Sequence, residues 1–118
     1  MRVAIVSFFY DENVTTADDL LQQQYTITGW AEAMARRDLE VIVINRFHKN
    51  DSFRKNGVEY LFYRDHFGGR FKSWQIPFSF LKKIKQANAD IVHLHHLTLS
   101  IQTAVLRSLL PGRTAIIV

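Results

Sequence analysis

"VAIVSFF", residues 3–9, is apolar at nearly every position and mixes β-branched with aromatic side chains. A strand that faces water on one side alternates polar and apolar residues. An unbroken run like this one predicts a strand covered on both faces, as in a parallel sheet flanked by helices.

Outward from it, residues 10–16 are polar and predict a loop, followed by a long helical pattern. Thr15 or Thr16 is placed to cap that helix, with Asp18 or Asp19 three residues on as the capping-box partner. Leu20, Ile27, Ala31 and Met34 form one apolar stripe, and the helix is expected to end near Arg36–Arg37. Gly29 inside it costs about 1 kcal/mol against alanine, which predicts a close approach at that point. "EVIVINRF" (40–47) is a second buried strand, joined to the helix by the short connection typical of α/β units.

Residues 48–57 are polar and basic and predict a loop. "VEYLFYR" (58–64) predicts a third strand nearer an edge, since Glu59 and Arg64 interrupt it, and 65–75 are turn-like. Pro77 suits a first helical turn, with Phe78, Leu81 and Ile84 as the apolar positions that follow. "DIVHLH" (90–95) is a fourth strand, "TLSIQTAVLRSLL" (98–110) a helix stopped by Pro111–Gly112, and "TAIIV" (114–118) a fifth strand. This alternation predicts an α/β, Rossmann-like three-layer sandwich with a parallel sheet in the order 3-2-1-4-5. Ligands then meet the carboxyl ends of strands 1 and 4, at 7–10 and 93–96.

The totals agree with one domain spanning 1–118: 118 residues, 47% hydrophobic and 22% charged. There is no cysteine, which excludes disulfides, thiolate metal sites and thiol nucleophiles and fits a reducing, cytoplasmic compartment. No signal-peptide pattern opens the sequence, and no run reaches the ~18 apolar residues of a membrane span. The net charge of +4 is uneven. From Arg46 to Lys85 bases dominate, opposed only by Asp51, Glu59 and Asp65, while 11–19 hold Asp11, Glu12, Asp18 and Asp19 without a base. A basic middle points to anionic partners, but no nucleic-acid-binding signature accompanies it. Because "TAIIV" ends on an apolar strand, the sequence is expected to be part of a longer protein.

Three of the five histidines fall at 93, 95 and 96. Strand alternation sends His93 and His95 to one face and His96 to the other, so a zinc set does not form from them and no metal is expected. His93 reads as a hydrogen-bonded core histidine. His95 and His96 lie past the apolar run, where the strand opens into the cleft.

"MRVAIVS" (1–7), "WAEAMARRDLEVIVI" (30–44) and "ANADIVHLHHLTLSIQTAVL" (87–106) together resemble the N-terminal, acceptor-side domain of GT-B glycosyltransferases, particularly the family-4 retaining enzymes. The resemblance covers essentially the whole chain. It implies transfer of a sugar from a nucleotide-sugar to the hydroxyl of a sugar or lipid-linked acceptor, with no cofactor or essential metal. The main donor-binding groups would belong to a C-terminal domain absent from this sequence. It makes His95 the catalytic candidate, with His96 beside it. The remaining substrate-binding candidates are Ser7, at the carboxyl end of strand 1, and Asn13, Thr15 and Thr16, since hydroxyls and carboxylates at a helix start grip acceptor hydroxyls. Where the family often has a Gly-Gly pair after strand 1, this chain has "YDENVTTADD", and Asp18 and Asp19 would oppose a diphosphate there. Asp38–Leu39 stands where the family has Gly-His, at the turn from helix to strand.

The aromatic and basic residues of 67–86 raise the expectation of peripheral contact with the inner face of a membrane. The favoured reading of that segment is still an ordinary crossover helix, with its apolar side on the sheet and its lysines in water. The alternatives for the chain are a non-catalytic flavodoxin-like binding module and half of a sugar-nucleotide 2-epimerase.

Overall fold

The computed structural model describes residues 1–7, 25–47, 50–64, 78–94 and 100–117. Among the described residues it is an α/β structure with one mixed sheet of six strands and three helices. The strands are β1 (Arg2–Ser7), β2 (Glu40–Arg46), β3 (Asp51–Lys55), β4 (Val58–Tyr63), β5 (Ile91–Leu94) and β6 (Ala115–Ile117). The helices are α1 (Tyr25–Ala35), α2 (Phe78–Gln86) and α3 (Ser100–Leu109). Their order across the sheet is β3-β4-β2-β1-β5-β6. This corrects the expected five-stranded, all-parallel 3-2-1-4-5 sheet: there is an additional edge strand, and it runs antiparallel to β4.

That strand, β3, falls in the stretch expected to be a loop. Only Phe53 among its residues is partly buried, so it carries no apolar run to reveal it. What forms it is the turn that follows. Asn56 (φ 53°) and Gly57 (φ 81°) both sit in the left-handed region, as a two-residue type I′ hairpin requires, and Asn-Gly is the pair that adopts it most readily. Phe53 stacks on Tyr60 and on Phe62, and Arg54 faces Glu59 at 3.7 Å across the pair.

The sheet separates two clusters. On one face α1 packs Ile27 and Ala31 against Ile5, Val41, Val43, Val58, Tyr60 and Phe62. On the other, Phe80, Leu81 and Ile84 of α2 and Leu106 of α3 cover Ala4, Val6, Ile42, Ile44, Val92 and Leu94. Period-two alternation along each strand produces this division. The apolar stripe of α1 is as expected at Ile27, Ala31 and Met34; its cap and Leu20 lie outside the described residues. Two expectations fail. Gly29 is exposed, and a Cβ there would meet nothing within 4 Å, so no close approach explains it. Phe78 is 50% exposed, because Phe80 takes the inward position in its place.

α1 ends in a Schellman-type turn. The Leu39 N–H donates to Met34 O at 3.4 Å and the Asp38 N–H to Ala35 O at 3.2 Å, with Asp38 at φ 62°. An aspartate in that conformation carries strain that glycine avoids. Exchanging the exposed Asp38→Gly is therefore expected to stabilise the fold by about 0.5 to 1 kcal/mol, net of glycine's extra freedom in the unfolded chain. Denaturant melts of both proteins would measure it, and a destabilised variant would contradict the account.

Tyr60 is fully buried, and its hydroxyl makes no hydrogen bond among the described residues. Burial raises its phenol pKa, with the Glu32 charge adding to the rise. The Thr28 side chain opposes it without reaching hydrogen-bond geometry. Tyr60→Phe removes a desolvated hydroxyl while keeping the ring stack, so its melting temperature should equal or exceed that of the parent. A clear loss of stability would show that the hydroxyl has a partner.

Candidate functional site

Among the described residues, three of the four buried polar or charged side chains lie at the sheet's carboxyl edge; the fourth, Thr114, enters β6 at the amino edge. Ser7, Asn45 and Arg46 are 1%, 1% and 2% exposed, and they end the adjacent central strands β1 and β2. Ser7 lies opposite Asn45 in the parallel register, and Val6 lies opposite Leu94 of β5. Alternation puts Ser7 and Asn45 on the α1 face, with Ile5 and Val43, and sends Arg46 to the other face with Ile44. The Asn45 Nδ2 donates to Arg46 O at 2.7 Å, while its Oδ1 is buried with no hydrogen-bond partner. Two bonds close this edge on the side of β4. The Phe47 N–H donates to Tyr63 O at 2.9 Å, and the Arg64 N–H to Asn50 Oδ1 at 2.9 Å.

Of the residues singled out in the sequence, Ser7 is at this edge, buried against β2. His95, His96, Asn13, Thr15 and Thr16 lie outside the described residues. Asn45 and Arg46 were missed as site residues. The signal was a polar pair closing an apolar run in "EVIVINR", the same pattern that drew attention to "DIVHLH".

His93 is not the enclosed core histidine expected. It is half-buried, and its ring lies 5.8 Å from that of Trp30, tilted by 33°. The two rings line an apolar groove of about 460 Å³ on the α1 face, which reaches Met1 and Leu39 at the amino edge and Ile117 of β6. Met1, Trp30 and Ile117 are at least half exposed there.

Of the segment 67–86, residues 78–86 are described. Phe80, Leu81 and Ile84 of α2 face the sheet, while Lys82, Lys83 and Lys85 are exposed. Lys83 Nζ sits 5.4 Å from the centroid of the Tyr63 ring. Among the described residues no helix is long and apolar enough to cross a membrane. No group of three or more His, Asp or Glu among them could hold a metal ion. No protein-family model matches the chain, and no curated protein sequence matches it either.

Proposed function

We propose that the chain is the N-terminal, acceptor-side domain of a GT-B glycosyltransferase, a Rossmann-like unit that works with a C-terminal donor-binding domain. The reaction moves a sugar from a nucleotide-sugar to the hydroxyl of a sugar or lipid-linked acceptor. The observation that carries this reading is the switch in the sheet between β1 and β5. From β1 the chain passes by α1 on one face to β2; from β4 it passes by α2 on the other face to β5 on the opposite side of β1. In such sheets ligands bind beyond the carboxyl ends of the strands at the reversal, and the buried polar residues Ser7 and Asn45 end the strands beside it.

In this reading His95, one residue past the described end of β5, faces the transferred sugar or the acceptor and donates a hydrogen bond or exchanges a proton near neutral pH. Ser7, Asn13, Thr15, Thr16 and His96 hold acceptor hydroxyls. The enzyme works in the cytoplasm, and the exposed lysines of α2 support contact with an anionic membrane face. That contact is electrostatic, since the apolar side of α2 is already buried against the sheet.

Residues 1–118 alone are expected to bind nucleotide-sugars weakly or not at all, because Asp18 and Asp19 repel a diphosphate and the donor half is elsewhere. Calorimetry with UDP- and GDP-sugars tests this, and tight binding would refute it. In the two-domain enzyme, His95→Ala should lower kcat/KM by roughly 10²- to 10³-fold, the scale of a positioned hydrogen bond or proton-transfer group. His93→Ala should act through stability instead, costing about 1–3 kcal/mol as its packing and polar contacts are lost. Initial rates and thermal melts on both variants decide it: a silent His95→Ala beside a dead, fully stable His93→Ala sinks the assignment. Turnover of a nucleotide-sugar without any acceptor would favour the epimerase, and no turnover at all the binding module.

A further inference from the structure

We propose that Asn56 is a site of spontaneous deamidation, with the Gly57 nitrogen as the internal nucleophile, and that the modified turn releases the edge strand β3 from β4. Neither step depends on the transferase reading.

Asparagine amides are thermolabile, and the reaction needs an unhindered backbone nitrogen directly after the amide. The chain has five asparagines, at 13, 45, 50, 56 and 88, and only Asn56 precedes a glycine. With no Cβ on the following residue, nothing crowds the approach of that nitrogen to the Asn56 Cγ. Both residues are exposed, and no backbone hydrogen bond holds the Gly57 N–H among the described residues. Asn88 is the internal comparison: it is exposed and left-handed too, at φ 51°, but the next residue is Ala89.

The Gly57 nitrogen loses its proton to solvent, bonds to Cγ and displaces Nδ2 as ammonia, closing a cyclic succinimide. Water then opens the ring at either carbonyl, leaving aspartate or isoaspartate. The net change is amide plus water to carboxylate plus ammonium, so no oxidant or further reactant is required.

The position turns this chemistry into a structural event. Asn56 Nδ2 donates to Glu32 Oε1 at 2.8 Å, a hydrogen bond that ties the hairpin tip to α1. Deamidation replaces that donor with a carboxylate oxygen, and two like charges then face each other. Isoaspartate also lengthens the backbone by a carbon, inside a turn whose φ values of 53° and 81° fit a two-residue hairpin. Besides its backbone pairing, β3 is held mainly by Phe53, its only partly buried residue. Its release makes β4 the edge. Where β3 carries Asp51, Arg54 and Lys55 there, "VEYLFY" is largely apolar, an edge of the kind other chains add to.

The test incubates the purified chain at mildly alkaline pH and maps its peptides by mass spectrometry, with isoaspartate read by enzymatic methylation. The Asn56 peptide should gain the mass difference between amide and acid and become methylatable, while the Asn88 peptide does not. Asn56→Gly keeps the turn and should abolish the gain. In the deamidated fraction, separated by charge, the amide hydrogens of β3 should exchange at least about tenfold faster. Asn56→Asp should speed that exchange about two- to fivefold, and adding Glu32→Gln should restore it, since a neutral amide again faces the carboxylate. An Asn56 peptide that stays unmodified in the folded chain overturns the inference, and reaction in urea alone would show the turn protecting its amide. A deamidated fraction whose β3 exchanges at the parental rate overturns it as well. The parent incubation needs no variant, so it decides the matter even if Asn56→Asp fails to fold.

Discussion

The pairing of β1 on both of its edges is the constraint that organises the molecule. Val3 to Val6 lie opposite Val41 to Ile44 on one side and Ile91 to Leu94 on the other, while helices lie over both faces. A strand so enclosed has no room for a polar side chain except at its ends, and Ala4, Ile5 and Val6 are fully buried. The two ends are treated differently. At the amino end Arg2 binds Ala87 O and Glu40 Oε1, both at 2.7 Å, and its own N–H reaches Asp90 Oδ2 at 2.9 Å. The hydrogen bond between the two side chains raises the Arg2 pKa and lowers that of Glu40. This stitches β1 to β2 and to the segment entering β5, with every partner supplied from within, although an exposed ion pair adds little stability. At the carboxyl end the described partners do not suffice, since Asn45 Oδ1 has none. Structure closes one edge of the sheet, and the other is left with polarity to spend.

The apolar groove makes a different contrast. Both methionines of the chain and Trp30 line it, and His93 belongs to it by strand alternation. Its lining offers dispersion and little directional bonding, whereas the carboxyl edge offers the reverse. A parallel sheet is ordinarily covered on both faces, and here α1 covers one face of β1, β2 and β4 while Ile117 of β6 on that same face stays half exposed.

The strands enclosed on both faces were legible because burial writes itself into continuous apolar runs such as "VAIVS" and "EVIVI". β3 was hidden for the complementary reason: an edge strand with solvent on most sides has no run to show, and its only marker was the Asn56–Gly57 turn. Spacing alone could not tell whether Phe78 or Phe80 faces the sheet, since either fits a helical stripe with Leu81 and Ile84. Asp38 was rightly placed at a turn, but the left-handed backbone it adopts shows only in three dimensions. At the site, Ser7 was found from the logic of strand ends. Asn45 and Arg46 answer to that logic equally and were passed over, because they looked like the tail of a strand and not like chemistry.

The two clusters also divide the chain in time. Among the described residues, the one beneath α1 draws only on those between Ile5 and Phe62, so these are all present once β4 has been synthesised. The other needs Phe80 to Leu110 and has to wait. β1 meets its first neighbour after a loop of about forty residues and its second only after nearly ninety, and closing the longer loop is the slower event. The expected order of assembly is therefore vectorial: one side of the sheet closes on the ribosome while Ala4, Val6, Ile42 and Ile44 still face water on the other. During that interval the nascent chain carries a bare apolar surface, and the arrival of α2 and α3 ends its exposure to chaperones and to other chains.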